Sequence, residues 1–110
     1  MSGWYDLMKS SAGDFYFVLK GGNGEAILTS EMYKSKASAE NGIASARQNC
    51  EFEDRFERTT AANGKFHFNL KSPNHQVIGS SELYGTKESR DEGISAVMQN
   101  GRTGTVHDKT

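Results

Sequence analysis

The chain has 110 residues with a single cysteine, and its 13 lysines and arginines nearly balance its 14 aspartates and glutamates, for a net charge of −1. This length fits one domain, and the balanced charge argues against a dedicated nucleic-acid binder with a basic stripe. Since Cys50 cannot form an intramolecular disulfide, we expect a protein of the reducing cytoplasm. No stretch has the length and apolarity of a membrane span, and the N-terminus lacks a signal-peptide pattern, so no membrane association is expected.

The sequence repeats itself at a constant spacing of 51 residues, so that segment 15–49 aligns with segment 66–100. Identical residues occupy 15 of the 35 aligned positions, which indicates a duplication. A piece of ~50 residues buries too little surface to be stable alone. We therefore predict one domain over residues 1–110, built from two repeats at about 1–52 and 53–110.

The first half is predicted to contain three strands and one helix. A glycine-rich turn at 21–24 joins two segments of alternating apolar residues, as in a tight hairpin. Apolar residues then recur at spacings of four and three, the pattern of an amphipathic helix, with Ser35 where an N-cap is favoured. Gly42 inside this helix costs about 1 kcal/mol relative to alanine, so we expect close packing there. The predicted elements are strands over 4–10, 14–20 and 25–30 and a helix over 36–48.

The second half is predicted to repeat this plan. Thr86 is the N-cap candidate of its helix, and Gly93 occupies the position equivalent to Gly42. The chain then closes on a short segment that aligns with 54–57, so each half is expected to end on a comparable strand. The predicted elements are strands over 51–60, 65–71 and 76–81, a helix over 87–99 and a final strand over 105–108.

Both halves carry the pattern F-x-F-x-L-K, an asparagine, I-x-x-S-E-x-Y, then K-x-S at the helix start and G-I within the helix. This pattern resembles the YegP-like family of small bacterial proteins with one or two copies of such a unit. The resemblance implies an α+β fold: two tandem β-β-β-α-β repeats in one antiparallel sheet, with both helices on one face. It also implies a pseudo-two-fold monomer whose C-terminal strands are exchanged between the repeats. It provides no activity, catalytic residue or ligand to transfer.

Each half contains a Ser-Glu-x-Tyr segment between a strand and a helix, which we call a corner. A hydroxyl, a carboxylate and a phenol lie close together there, as a small hydrolase or transferase would need. No histidine or second carboxylate is near in sequence to complete an acid–base pair. The alternative is that the tyrosines pack while the serines and glutamates bond backbone amides. The corner residues are Ser30, Glu31 and Tyr33 in the first half and Ser81, Glu82 and Tyr84 in the second.

Metal and cofactor binding are not expected from the histidines and the cysteine. His67, His75 and His107 form no HxxxH or HExxH arrangement, and one cysteine offers no zinc ligand set. Cys50 has no neighbouring histidine and follows a predicted helix C-terminus, which disfavours a reactive thiolate. We therefore assign no catalytic or metal-ligating residue.

A comparison of the two halves provides the main functional hypothesis. The predicted helix-facing residues match closely, whereas the opposite face is apolar in the first half and polar in the second. Apolar patches often mark interaction sites, so we expect a non-enzymatic module that binds an unidentified protein or small ligand. The predicted patch is Trp4, Met8, Tyr16, Val18 and Leu28, and its polar counterpart is Arg55, Thr59, His67, Asn69 and Gly79.

Two alternatives to this hypothesis stay open. In the first alternative the patch has no binding role, because N-terminal residues or a loop cover it or because its apolar residues are merely scattered. In the second alternative the face binds single-stranded nucleic acid weakly, with Trp4 and Tyr16 stacking on bases. In that case Lys9, Lys20 and Lys71 would contact phosphates, and binding would depend strongly on salt.

Overall fold

A computed structural model describes residues 3–110. Met1 and Ser2, which begin the predicted first repeat, lie outside the described residues. Element types agree with the sequence prediction except at 51–60, where a 3₁₀ turn precedes a shorter strand. The elements are β1 (Trp4–Lys9), β2 (Phe15–Lys20), β3 (Ala26–Ser30), α1 (Lys36–Asn49), the 3₁₀ turn (Glu53–Arg55), β4 (Phe56–Thr60), β5 (Phe66–Lys71), β6 (Val77–Ser80), α2 (Lys87–Asn100) and β7 (Val106–Asp108).

All seven strands form one sheet in the order β4-β5-β6-β3-β2-β1-β7. The first six strands are arranged pseudo-symmetrically about the antiparallel β3–β6 pair, where Thr29 faces Ser80. Each half contributes three of these strands and one helix, which confirms the predicted α+β fold with two tandem repeats. The two halves therefore complete each other at the centre of the sheet.

The pairing of β7 with β1 is parallel, so the sheet is mixed rather than wholly antiparallel. The cause lies where α2 ends: the Tyr5 hydroxyl donates to the Gly101 carbonyl at 2.6 Å, so α2 ends beside the start of β1. From there the chain runs in the same direction as β1. The Tyr5 N–H donates to the Thr105 carbonyl at 3.0 Å, and the Lys109 N–H donates to the Leu7 carbonyl at 2.8 Å. The last strand of the second half thus joins the first half, as predicted. The first half does not end on a separate comparable strand: the equivalent residues 55–57 lie in the 3₁₀ turn and the start of β4, which pairs with β5.

Both helices pack on one face of the sheet over a continuous hydrophobic core. The Ser35 hydroxyl accepts from the Ser38 N–H, and the Thr86 hydroxyl accepts from the Ser89 N–H, so both predicted N-caps are confirmed. The core draws on both halves, which explains why neither half needs a core of its own. Its buried members are Tyr5, Leu7, Phe17, Leu19, Ile27, Leu28, Ala39, Ile43, Ala46, Cys50, Phe56, Phe68, Leu70, Ile78, Ile94 and Val97.

Gly42 and Gly93 are required by the close approach of the corner tyrosines to the helices. A Cβ at Gly42 would lie 2.4 Å from the Tyr33 hydroxyl oxygen, and one at Gly93 would lie 2.5 Å from that of Tyr84. These distances are far below a normal van der Waals contact. The predicted steric reason for the two helical glycines is confirmed, and the neighbour is a corner tyrosine.

A β-bulge in β3 overturns the predicted orientation of Leu28. Leu19 pairs with Leu28 but Lys20 pairs with Ala26, so Ile27 is an extra residue in β3. The extra residue lets Ile27 and Leu28 both face the helices, where Leu28 is only 1% exposed. The prediction that Leu28 belongs to the opposite face is therefore wrong, because strict alternation does not account for a bulge.

The same bulge recurs in β6 and corrects the orientation predicted for Gly79. Leu70 pairs with Gly79, whereas Lys71 pairs with Val77. A Cβ at Gly79 would lie 3.0 Å from Leu28 Cγ and 2.9 Å from the Thr29 carbonyl oxygen. Gly79 thus faces the helices and makes room for Leu28, its equivalent in the first half.

Candidate binding surface on the open sheet face

The face of the sheet opposite the helices, which we call the open face, is crossed by a continuous row of aligned residues. In the second half this row is a polar network. Ser80 donates to Asn69 at 2.6 Å, Asn69 donates to Glu57 at 2.9 Å, and Lys71 reaches the same carboxylate at 3.0 Å. From one edge to the other, the row is His107, Asp6, Val18, Thr29, Ser80, Asn69 and Glu57.

In the first half the open face carries four of the five predicted patch residues, and we call this set the open-face patch: Trp4, Met8, Tyr16 and Val18. Met8 lies directly across from Tyr16, and both strands are central to this half. All four side chains are half-buried, so each retains a solvent-facing portion. Because they stand on paired strands rather than on a loop, their positions are well defined.

Asp6 anchors one end of this patch. Its side chain is only 4% exposed, although it lies on the open face. The Trp4 indole N–H donates to Asp6 Oδ1 at 3.0 Å, and Lys109 Nζ lies 3.2 Å from Oδ2. His107 Nδ1 and Lys20 Nζ lie 3.6 Å and 4.0 Å from the same carboxylate. One carboxylate therefore gathers three basic side chains beside Trp4.

Sequence reasoning missed this cluster because it joins residues from the two ends of the chain. Asp6 and Lys109 are 103 positions apart and meet only because β7 pairs with β1. The ring of His107 lies 5.4 Å from the ring of Trp4, which further fixes the indole. The exchange of the last strand was the one available signal, but it did not specify the register of β7 against β1.

The lysines proposed to contact phosphates are only partly brought together with the patch. Lys9 Nζ lies 5.4 Å from the centre of the Phe15 ring, on the helix-facing side of the sheet. Lys20 lies on the open face beside Trp4, and Lys71 lies on the open face of the other half. The prediction that Lys9 serves the open face is wrong, because it alternates with Met8 along β1.

At the corners, the serine hydroxyls take part in backbone hydrogen bonds. Ser30 Oγ accepts from the Phe17 N–H and donates to the Glu31 carbonyl, both at 2.8 Å. Ser81 Oγ accepts from the Phe68 N–H at 3.0 Å and donates to the Glu82 carbonyl at 2.8 Å. A serine whose proton is held by a carbonyl is poorly placed to act as a nucleophile.

The corner tyrosines are packing residues with a weakly acidic hydroxyl. Tyr33 stacks on Phe17 with ring centres 6.4 Å apart, and Tyr84 stacks on Phe68 at 6.5 Å. Burial raises the pKa of both phenols above the usual 10.0, and the nearby glutamates raise it further. Both therefore stay protonated at neutral pH and can serve as hydrogen-bond donors, whereas a catalytic phenolate is disfavoured.

Residues 3–110 show no metal site, no membrane-spanning helix and no exposed thiol. No group of three or more histidine, cysteine, aspartate or glutamate side chains there could hold a metal ion. Neither α1 nor α2 is long and apolar enough to cross a membrane. The Cys50 thiol is fully buried against the core, and this burial is the main reason that its pKa is raised.

Both halves of the chain match one known protein family. Residues 10–57 and 61–108 each match the family described as a domain of unknown function, DUF1508. The chain belongs to the DUF1508 family. Each DUF1508 unit includes two strands, a helix and the segment after it, so the repeat seen in the sequence is the family's own unit.

Relatives are similar to this chain over its whole length. The UPF0339 protein YegP of Escherichia coli K12 is 60% identical over 110 residues, with complete coverage of both chains. A solution NMR structure of the E. coli protein YegP, described as a protein of unknown function, matches with a TM-score of 0.95 over 100% of this chain and 95% of that chain. The solution structure of a UPF0339 protein from Shewanella oneidensis matches with a TM-score of 0.92 and 54% sequence identity. The match covers 98% of this chain and 92% of that chain. These matches agree with the α+β fold described above.

Proposed function

We propose that this protein is a monomeric, cytoplasmic, non-enzymatic binding module whose partner, a protein or small ligand, docks on the open-face patch. The observation that carries the proposal is the difference between equivalent positions on one sheet. Tyr16 and Val18 in the first half correspond to His67 and Asn69 in the second, while Phe17, Leu19 and Ile27 of the buried face recur unchanged. Since the second half folds with polar residues there, the apolar residues of the first half are not required by the fold.

The geometry of the patch suits binding. Trp4 is held by Asp6 and by the His107 ring, and Tyr16 is supported by Met8 across the strand pair. Fixed aromatic side chains lose little conformational entropy when a partner docks, which favours affinity. Aromatic residues are also enriched at interaction hot spots.

A non-enzymatic role is supported by the chemistry of the corners. Their serine protons bond to backbone carbonyls, and their phenols stay neutral at neutral pH. The open face is the surface of a single sheet, and such a surface favours an extended contact over an enclosed reaction site. These features argue for recognition rather than for bond making and breaking.

Weak binding of single-stranded nucleic acid is the second candidate, favoured by the cluster at Asp6. Lys20, Lys109 and His107 all lie beside Trp4 while sharing one carboxylate. Base stacking on an aromatic ring next to basic side chains is the usual way in which proteins hold single strands. Such binding would weaken steeply with salt through counterion release, whereas docking of an apolar protein surface would not.

The proposal is tested with two matched double variants. Tyr16→Ser with Val18→Ser removes the patch, and His67→Ser with Asn69→Ser changes the equivalent positions of the second half. Immobilised wild type and both variants would capture partners from a bacterial lysate, with circular dichroism confirming that each is folded. We expect the specific partner to be lost from the first variant and retained by the second. Equal capture by both would contradict the proposal.

A further inference from the structure

A groove of about 530 Å³ lies on the helix side, where the start of β3 meets the second corner and α2. It joins the two halves, since Ile27 comes from the first and Leu83 and Tyr84 come from the second. Its volume is in the range typical of small-molecule sites. It lies on the face of the sheet opposite the open-face patch and is independent of it.

The floor of this groove is apolar. Leu83 is a large hydrophobic residue with 50% of its surface exposed, and it lines the groove beside Ile27. The Tyr84 ring completes the floor, held in place by its stacking on Phe68. An aliphatic chain lying here would cover apolar surface that is now in contact with water.

The rim of the groove is acidic. Glu25, Glu82 and Glu92 line it, and no lysine, arginine or histidine is among the lining residues. Eight of the 14 acidic residues form ion pairs within 4.0 Å, but these three do not in the part of the chain that the structure describes. Burial raises the pKa of Tyr84, and the charges of Glu25 and Glu82 raise it further.

The other half provides an internal comparison, since its equivalent positions keep the apolar residues but lose two of the three carboxylates. Ile78, Met32 and Tyr33 match the floor residues. Of the three rim carboxylates only one is retained. The residues equivalent to Glu25, Glu82 and Glu92 are Gln76, Glu31 and Asn41.

We propose that this groove, which we call the acidic groove, binds a linear aliphatic polyamine. Its methylene segments would lie on Ile27, Leu83 and the Tyr84 ring, and its ammonium groups would meet the rim carboxylates. A ligand with separated positive charges along an apolar chain matches separated carboxylates around an apolar floor. A metal ion is a poorer match, because these carboxylates do not converge into a metal-binding group among the described residues.

The test is an NMR titration of the ¹⁵N-labelled full chain with spermidine at low ionic strength. We expect saturable shifts in the backbone amides of 25–27, 82–84 and 92. The triple variant Glu25→Gln, Glu82→Gln, Glu92→Gln should bind about tenfold more weakly, because each exposed ion pair contributes little by itself. The matched variant Glu31→Gln should leave the affinity unchanged. Thermal unfolding of each variant shows that it remains folded.

Two further comparisons separate a site from general attraction to negative charge. Leu83→Ala should weaken spermidine binding a few-fold, whereas Met32→Ala should not, because only the first removes floor beneath the acidic rim. Mg²⁺ at equal ionic strength should produce no saturable shifts. Equal shifts on both halves, equal shifts with Mg²⁺, or no saturation would each overturn the proposal. Tighter binding of a trilysine peptide than of spermidine would also overturn it, since the occupant would then be a peptide. Shifts at Tyr16 and Val18 are not expected, so this test is independent of the open-face patch.

Discussion

Replacing Gly93 by alanine tests whether the corner tyrosine really limits the approach of α2. The new Cβ would lie 2.5 Å from the Tyr84 hydroxyl oxygen, 2.9 Å from its Cζ and 3.1 Å from Phe68 Cε2. Normal carbon contacts begin near ~3.5 Å. Tyr84 would therefore have to move, and its stacked partner Phe68 blocks one direction.

The expected change in the free energy of unfolding is the sum of one stabilising and two destabilising contributions. Alanine is favoured over glycine inside a helix by about 1 kcal/mol. Overpacking of a tight site costs about 1–3 kcal/mol, and displacing Tyr84 from Phe68 forfeits about 0.5–1.5 kcal/mol of ring stacking. Gly93→Ala should therefore lower the free energy of unfolding by about 2 kcal/mol, although helix propensity alone predicts a gain.

Urea unfolding followed by circular dichroism measures this change. Ser95→Ala, on the exposed side of the same helix, is the control and should stabilise by about 0.5 kcal/mol through propensity alone. In a Tyr84→Ala background the Gly93→Ala change should cost much less, because of the three close contacts only the one at 3.1 Å to Phe68 Cε2 remains. A stabilising Gly93→Ala in the wild-type background would refute the proposed contact.

Three further predictions follow from the core and from the strand exchange. Burial raises the pKa of Tyr5 above 10.0 in the folded protein. The contribution of the neutral phenol to the free energy of unfolding is therefore complete below pH 10 and falls above pH 10 by about 1.4 kcal/mol per pH unit. Tyr5→Phe, which loses the bond to the Gly101 carbonyl, should cost about 1–2 kcal/mol at neutral pH and make alkaline unfolding curves shallower; an unchanged alkaline slope would contradict this. Gly79→Ala should destabilise by about 1–3 kcal/mol, and in urea unfolding its effect should be less than additive with Leu28→Ala; full additivity would exclude their contact. Asp6→Asn should speed amide hydrogen exchange in β7 about tenfold or more, because it weakens the side-chain contacts that hold β7 to Asp6. Exchange in β4 should not change. Equal changes in both strands would indicate a global loss of stability instead.

The repeat made most of the fold predictable. Matching strand and helix patterns in both halves defined the element order, and Ser35 and Thr86 marked the helix starts by a local hydrogen bond that depends only on nearby residues. Gly42 and Gly93 signalled a close contact, because glycine is unfavourable inside a helix unless space demands it. These features depend on short-range chemistry, which a sequence shows directly.

Features that depend on register or on distant partners could not be predicted in this way. The bulge at Ile27 inserts one residue and turns Leu28 inward, and nothing in an alternating pattern marks where such a residue lies. The 3₁₀ turn over Glu53–Arg55 interrupts a segment that reads as one strand. The buried Asp6 cluster requires the parallel register of β7, which follows from where α2 ends in space.

The central claim is that the open-face patch is the binding surface, and an NMR titration of the labelled protein tests it most directly. Single-stranded DNA, single-stranded RNA and a fractionated cell lysate would be added in separate experiments. We expect one of them to shift the signals of Trp4, Met8, Tyr16 and Val18, with little change at His67 and Asn69; salt-sensitive shifts with an oligonucleotide would select the nucleic-acid candidate. Shifts confined to the corner residues, or equal shifts on both halves of the open face, would contradict the claim.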